Sequence, residues 1–574
     1  MKSLNHILLG IIILPFILTS NLYAQKLKSG PQDLVFFSPV DETNQPYSIY
    51  IPKNYDENKK YPLVVFLHGI MSNNRLGLRR VFGVGNTQGP DFGTPGFVPP
   101  QTDLEATRYF PEFRDVDYFV VAPYARGTAG YQGIPEQDIY QMLEDIKSRF
   151  NIDEDRLYLT GLSAGGAGTL WLGLTRPDLW AAIAPLCPAV PESVSELAGN
   201  ALNIPVHLFV GDRDPLYPTA QQCKVFFEAN NVHTEYTVYP GIGHNCWEYA
   251  YKDGFIFDWF DQFKRDPLPA HVKYSTRQFK YNKAYWVTMD NFTPGSWATI
   301  DAGFTGSNAM EVTTTGLEAF TLNLKGHSMF NANTRLNIII DGKSFTIKTP
   351  DAVSFSKDKG VWTNMKFTPG LFSKKQGAEG PILEAVYGNH IYVYGTADNP
   401  DPDELKARVA EATLAADWAA DRPVVGRIMI FPRVLADKEV RQSDIETSNL
   451  VLFGTAESNS LIGKYAERLP LHLKANAVKE YGLVYIFPLN NHYVLVNSGL
   501  PWWTPEAPKE NQQVSRGFSM TLSKAASVLP AFKDFILFKN TRDNVISEGF
   551  FDNNWEISSQ ERSKLNSSGM VEVK

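Results

Sequence analysis

The run Arg156-Leu-Tyr-Leu-Thr-Gly161-Leu162-Ser163-Ala164-Gly165-Gly166 limits what this chain can fold into more than any other. A β-type stretch ends in Gly-x-Ser-x-Gly, and a helical segment of small residues, Ala164–Thr175, follows without a spacer. A strand that passes straight into a helix must bend sharply. Gly161 and Gly165 allow that bend, and the serine between them is pushed out at the carboxyl edge of a sheet. The motif alone is a common string, but in strand–turn–helix context it marks Ser163 as a candidate nucleophile. The competing reading is a serine that only caps the helix.

The surrounding pattern supplies such a sheet. Tyr61–His68 is a continuous apolar run, as expected of a strand buried on both faces. Tyr118–Pro123, Arg156–Thr160, Ala181–Leu186, Val206–Val210 and the more polar Thr234–Tyr239 follow, alternating with helical stretches Pro135–Phe150, Ala164–Thr175, Tyr217–Asn230 and Trp247–Phe263. Strand–helix repetition of this kind implies a mostly parallel, doubly wound α/β sheet. Residues 70–117 interrupt the rhythm with a glycine-rich connection that reads equally as a lid or as surface decoration. Past Asp266-Pro267 the texture becomes β-rich, with alternating runs such as Ala319–Leu324 and Arg335–Ile340 ahead of a turn at Asp341-Gly342. From Gly380 onward α/β alternation returns. The expected organisation is a leader over 1–24, a catalytic domain over 25–268, a β-rich module over 269–376 and a second α/β domain over 377–574.

A serine hydroxyl is a poor nucleophile without a base and an orienting acid. In sheets bearing this turn the acid follows the serine in the chain and the histidine comes last. His6 and His68 precede Ser163, His207 lies within a strand, His233 precedes one, and His271 and later ones lie past the sheet. His244 remains, in the loop Pro240-Gly-Ile-Gly-His after the last strand. The strand Val206–Val210 runs into Gly211-Asp212-Arg213-Asp214-Pro215, where both aspartates are in reach. Asp214, on the far side of the turn, is the favoured acid, and Asp212 suits turn-stabilising backbone bonds. The backbone amides of Ala164 and of Ile70, after Phe66-Leu67-His68-Gly69, are the expected oxyanion donors. His68 is expected to shape that loop rather than react.

"YPLVVFLHG", "IDEDRLYLTGLSAGG", "GDRDPLYP" and "GIGH" resemble the α/β-hydrolase superfamily. Within it they are similar to the branch holding feruloyl and acetyl-xylan esterases, polyhydroxyalkanoate depolymerase-like esterases and prolyl-oligopeptidase catalytic domains. The resemblance covers roughly residues 45–263 and implies an acyl-serine mechanism with no cofactor and no metal. It leaves three functions open. The first is an ester hydrolase, with acylated polysaccharide as one substrate class. The second is a prolyl-oligopeptidase-like peptidase, disfavoured by the few residues ahead of the first expected strand. The third is a non-catalytic glycan-binding protein, against which an intact Ser163/Asp214/His244 set argues.

Lys2, the apolar run Ile7–Leu18 and Tyr23-Ala24-Gln25 read as a secretory signal cut after Ala24, hence an exported, periplasmic or extracellular protein. No later segment resembles a membrane span. The net charge of −8 carries no basic stripe for nucleic acid. Cys187, Cys223 and Cys246 allow one disulfide or none, and His244, Cys246 and Glu248 lack the second pair that a structural zinc site needs. Three further features carry alternatives. The strand-end echoes Gly395-Thr-Ala and Gly454-Thr-Ala read as anion sites or as plain turns. Trp502-Trp503 reads as a sugar platform or a buried anchor, and Tyr236, Tyr239, Trp247 and Tyr251 as acyl-pocket walls or helix packing.

Overall fold

The computed structural model describes residues 27–70, 72–84, 108–127, 130–348, 351–370, 372–417, 430–489, 491–504 and 529–574. The expected signal peptide and half of the glycine-rich 70–117 connection lie outside them. Among the described residues the first sheet has the strand order β1-β2-β4-β3-β5-β6-β7-β8. Its strands are β1 (Gly30–Ser38), β2 (Thr43–Ile51), β3 (Tyr61–Leu67), β4 (Phe119–Pro123), β5 (Ile152–Leu162), β6 (Ala182–Leu186), β7 (Val206–Gly211) and β8 (Thr234–Tyr239). β2 runs antiparallel to both neighbours and β3 to β8 are parallel, with Val64 opposite both Val120 and Tyr158.

All of β3 is buried because the sheet is covered on both sides. Leu63, Val65 and Leu67 enter a core under α2 (Ile134–Arg149), α3 (Ala164–Thr175) and α4 (Tyr217–Ala229), together with Ile139, Leu170 and Cys223. Val64 and Phe66 enter the opposite core with Leu78 of α1 (Asn74–Val81) and Phe257 of α6 (Phe255–Phe260). Burying a side chain of this size stabilises by about 1.5–3 kcal/mol, so this strand anchors both layers.

Three local expectations need correction. The hairpin strand Gly30–Ser38 precedes the expected first strand; its mixed burial hides it from an apolar-run reading. α1 stands at the start of the irregular 70–117 connection, capped by the Asn73 side chain on the Leu76 amide (3.0 Å). The helix expected over Trp247–Phe263 is two, α5 (Trp247–Ala250) and α6, broken where Asp253 and Gly254 adopt φ of 55° and 75°.

Two five-stranded sheets follow. One holds Val287–Phe292, Leu317–Asn323 and Ala352–Asp358, the other His271–Thr276, Ala298–Gly306, Ala309–Thr315 and Leu336–Ile340, with Met289, Phe320 and Phe355 facing Ile300, Val312 and Ile338 in one core. Among the described residues a seven-stranded mixed sheet comes next, in the order Val434–Ala436, His390–Tyr394, Asn449–Phe453, His492–Gly499, Tyr481–Leu489, Phe535–Lys539 and Val545–Gly549. Polar joints tie the regions together: Asn200 brackets the Ser275 backbone, Tyr281 donates to Glu136 at 2.7 Å, and Gln137 donates to the Tyr387 carbonyl at 2.6 Å.

Candidate active site

Ser163 stands between β5 and α3 with φ 57° and ψ −116°, a strained conformation for any residue but glycine. Its neighbours must be small for a measurable reason. A Cβ on Gly165 would lie 2.0 Å from the Leu67 carbonyl oxygen, and one on Gly161 would lie 2.5 Å from that of Gly165. The bend is locked by the Ser163 amide donating to Leu186 (2.9 Å) and by the Ser163 carbonyl accepting from Ala167 (3.0 Å). Its hydroxyl therefore points out at the carboxyl edge of the sheet, where the loops after β3, β7 and β8 meet.

Those loops deliver the partners. His244 Nε2 lies 3.0 Å from Ser163 Oγ, and His244 Nδ1 lies 2.8 Å from Asp214 Oδ2. Asp214, 4% exposed, keeps its other oxygen on the Leu216 amide at 2.8 Å. The two loops are knitted together by the Arg213 amide on Ile242 (3.0 Å) and by the Gly241 amide on Asp212 Oδ1 (2.7 Å). Asp212 thus braces the histidine loop rather than its own turn. Gly211 is required there, since a Cβ would lie 2.2 Å from the Ile242 carbonyl.

Burial works against a charged imidazole at His244, but the adjacent Cys187 sulfur and the hydrogen bond and charge of Asp214 outweigh it, so its pKa rises above the ordinary 6.5. His68 behaves oppositely. It is buried with its ring nitrogens facing the Gly69 and Tyr124 carbonyls (2.9 and 3.0 Å), and burial pushes its pKa down. It holds the loop that brings Gly69 beside Ser163, whose Cβ would lie 3.5 Å from a Cβ built on that glycine. Ala164 opens α3, so its amide has no acceptor within the helix, and Ile70 occupies the turn after Gly69. Both expected oxyanion donors thus lie on the segments that flank Ser163.

Two neighbours complete the surroundings of His244, of which the sequence reading named Trp247 as a candidate pocket wall and left Cys187 without a role here. Trp247 sets its ring edge-on to His244, 5.6 Å between centroids, with the Arg80 guanidinium 5.2 Å from the Trp247 ring centre. Cys187, at the end of β6, is buried and free with φ 36°, and its sulfur shares the space of Asp214 and His244. Its position one residue past a parallel strand was the available signal. All three cysteines are free and buried. Tyr251 is fully buried on Thr160 (2.8 Å), a packing role. Trp502 is fully buried and stacked on Phe453, which removes it as a sugar platform. The paired Gly-Thr-Ala turns are filled from within: Asp437 accepts from the Thr396 and Ser460 amides at 3.0 and 2.7 Å, where an anion would otherwise sit.

Serine, imidazole and carboxylate in this order can carry out nucleophilic acyl transfer. Residues 113–193 match the prolyl oligopeptidase family. Cutinase 1 of Thermobifida cellulosilytica is 33% identical over 98 residues, covering 17% of this chain and 36% of that protein. Dipeptidyl-peptidase 5 of Aspergillus oryzae is 27% identical over 171 residues, covering 27% of this chain and 20% of that protein. This chain thus spans about a third of the cutinase and about a fifth of the dipeptidyl-peptidase. A solved ferulic acid esterase is 18% identical at a TM-score of 0.33, covering 41% of this chain and 98% of that one. With one antiparallel second strand and Ser163 on the turn after β5, the first sheet has an α/β-hydrolase-like fold, and within it residues 113–193 carry the likeness to the prolyl oligopeptidase family.

Proposed function

We propose that the protein is an exported serine hydrolase that cleaves carboxylic esters, with acylated polysaccharide as its substrate class. The observation that carries the chemistry is the unbroken relay from Asp214 through His244 to Ser163, at 2.8 and 3.0 Å. Ser163 Oγ attacks the ester carbonyl carbon while His244 Nε2 takes its proton, and Asp214 holds the ring in the tautomer that leaves Nε2 free. The amides of Ala164 and Ile70 receive the oxyanion, an arrangement worth about 3–4 kcal/mol per donor. The alcohol departs with the proton from His244. Water then repeats the sequence on the acyl-serine, releasing the acid.

The ester preference rests on the likeness to cutinases, and export on the apolar run Ile7–Leu18. For a polymeric substrate, support comes from an open groove of about 520 Å³ beside the histidine loop, lined by Phe209, Tyr239, Tyr249 and Phe255 with Lys252 and Asp253. Tyr249 and Phe255 are 46% and 45% exposed, and such rings suit the apolar faces of sugars while the charged groups suit their hydroxyls. The second reading, a peptidase, is favoured by the match to the prolyl oligopeptidase family. Offering the purified protein feruloyl and acetyl esters beside a prolyl-nitroanilide separates the two. Faster turnover of the esters is expected, and preferential cleavage of the anilide reverses the assignment.

A further inference from the structure

We propose that Cys187, Asp214 and His244 form a binding site for a thiophilic divalent cation, zinc being the type, and that filling it switches the hydrolase off. One donor atom from each residue, a sulfur, a carboxylate oxygen and an imidazole nitrogen, lies within 4.8 Å of the other two, and all three residues are buried. They stand past the carboxyl ends of three adjacent strands, β6, β7 and β8, and the loops that carry Asp214 and His244 are tied to each other by the Arg213 amide on Ile242 and the Gly241 amide on Asp212. The Cys187 backbone is further fixed at φ 36° by its amide donating to Phe209 at 2.7 Å.

Sulfur, nitrogen and oxygen donors suit tetrahedral zinc, whose bonds run at about 2.0–2.3 Å. The imidazole–carboxylate separation of 2.8 Å must open by only about 1 Å to admit the ion. A thiolate and a carboxylate offset its two positive charges, so the filled site is neutral, as its burial demands.

The step balances without any redox change. Cys187 gives its thiol proton to solvent as the sulfur–metal bond forms. His244 releases the proton on Nδ1, which becomes a ligand, and takes one on Nε2, so one proton leaves per ion bound. With Nε2 protonated, the ring cannot accept the Ser163 proton, and Asp214 no longer orients it. The cation holds the base in the wrong tautomer.

The test uses the full-length protein, chelator-treated, with zinc chloride or cobalt chloride as the only added metal. Zinc is expected to inhibit hydrolysis of a short aryl ester, with recovery on adding chelator. Cys187→Ala should raise the half-inhibitory concentration by about 10–100-fold relative to its own uninhibited rate, since even an outer-shell partner is worth that much in metal affinity. Cobalt should give a thiolate-to-metal charge-transfer band in wild type and in Ser163→Ala. That band should be missing from Cys187→Ala and retained in Cys246→Ala. Cys187→Ser serves in place of alanine if that variant does not fold. The inhibition arm rests on the esterase reading, whereas the cobalt band does not, so the two fail separately. A band that survives without Cys187, or no band in Ser163→Ala, overturns the site.

Discussion

Two mixed sheets in this molecule carry a strand–glycine–helix turn on their parallel strands and put it to opposite ends. After β5 the turn at Gly161–Gly165 throws Ser163 outward, and loops from β7 and β8 arrive to complete a relay. In the last sheet the turns after His390–Tyr394 and Asn449–Phe453 pack on each other. Gly395 is pressed so close to Ser458 that a Cβ would lie 2.2 Å from its carbonyl oxygen, and Asp437 and Asn459 consume the free amides. A turn of this shape is therefore only an opportunity. What fills the space beyond the strand ends decides whether it becomes a site.

Removing the hydroxyl gives the largest expected break in this contrast. Ser163→Ala should lower kcat on aryl esters by about 10⁶-fold while leaving circular dichroism and melting unchanged. Persistent turnover would reduce the first turn to the status of the second. Asp214→Asn should lower kcat by about 10⁴-fold through the wrong imidazole tautomer. His244 must be neutral to accept a proton and its pKa lies above 6.5, so activity should rise with pH through that raised value. Loss of the Asp214 charge should move this acid limb downward, which a kcat/KM–pH profile reads.

Gly165→Ala and Gly395→Ala sharpen the comparison, since each forces a Cβ within 2.0–2.2 Å of a carbonyl oxygen. Both should destabilise by about 1–3 kcal/mol, but only the first should depress kcat in the folded fraction. Asp437→Ala should lower stability by about 1–3 kcal/mol through orphaned amides with kcat on small esters intact. Burial opposes the Asp437 carboxylate, yet the amides of Ser460 and Thr396 hold its pKa below 3.8, so its contribution is present above that pH and is lost as pH falls through the lowered value. The smallest effect concerns a joint between regions. Burial and then the charge of Glu384 raise Glu379 from 4.5 to about 8, where it accepts from the Lys280 amide at 2.9 Å. Its ionisation should lower the melting temperature as pH climbs across that window, and Glu379→Gln should flatten the fall.

Strands buried on both faces were legible because their apolar runs have no alternative use: β3 ends at Leu67 and β7 runs Val206–Gly211, each within a residue of the reading. The hairpin strand Gly30–Ser38 and the late edge strand Val545–Gly549 were not, since an edge or half-exposed strand carries a diluted pattern. The break between α5 and α6 needed a non-glycine residue, Asp253, at positive φ, which composition does not announce.

By itself the sequence determined the chemistry's parts: a serine on a bend that only glycines permit, a histidine in the one loop that chain order leaves, and two aspartates from which to draw the acid. Those are local facts, set by backbone sterics and strand burial. Tertiary structure sends Asp214, the acid the turn already favoured, to the imidazole, and it turns Asp212 to the Gly241 amide of the histidine loop. It also set Cys187 beside that pair, buried Trp502 and closed the second turn with Asp437. Each of these depends on which distant segments share one volume, and no run of neighbouring residues encodes that.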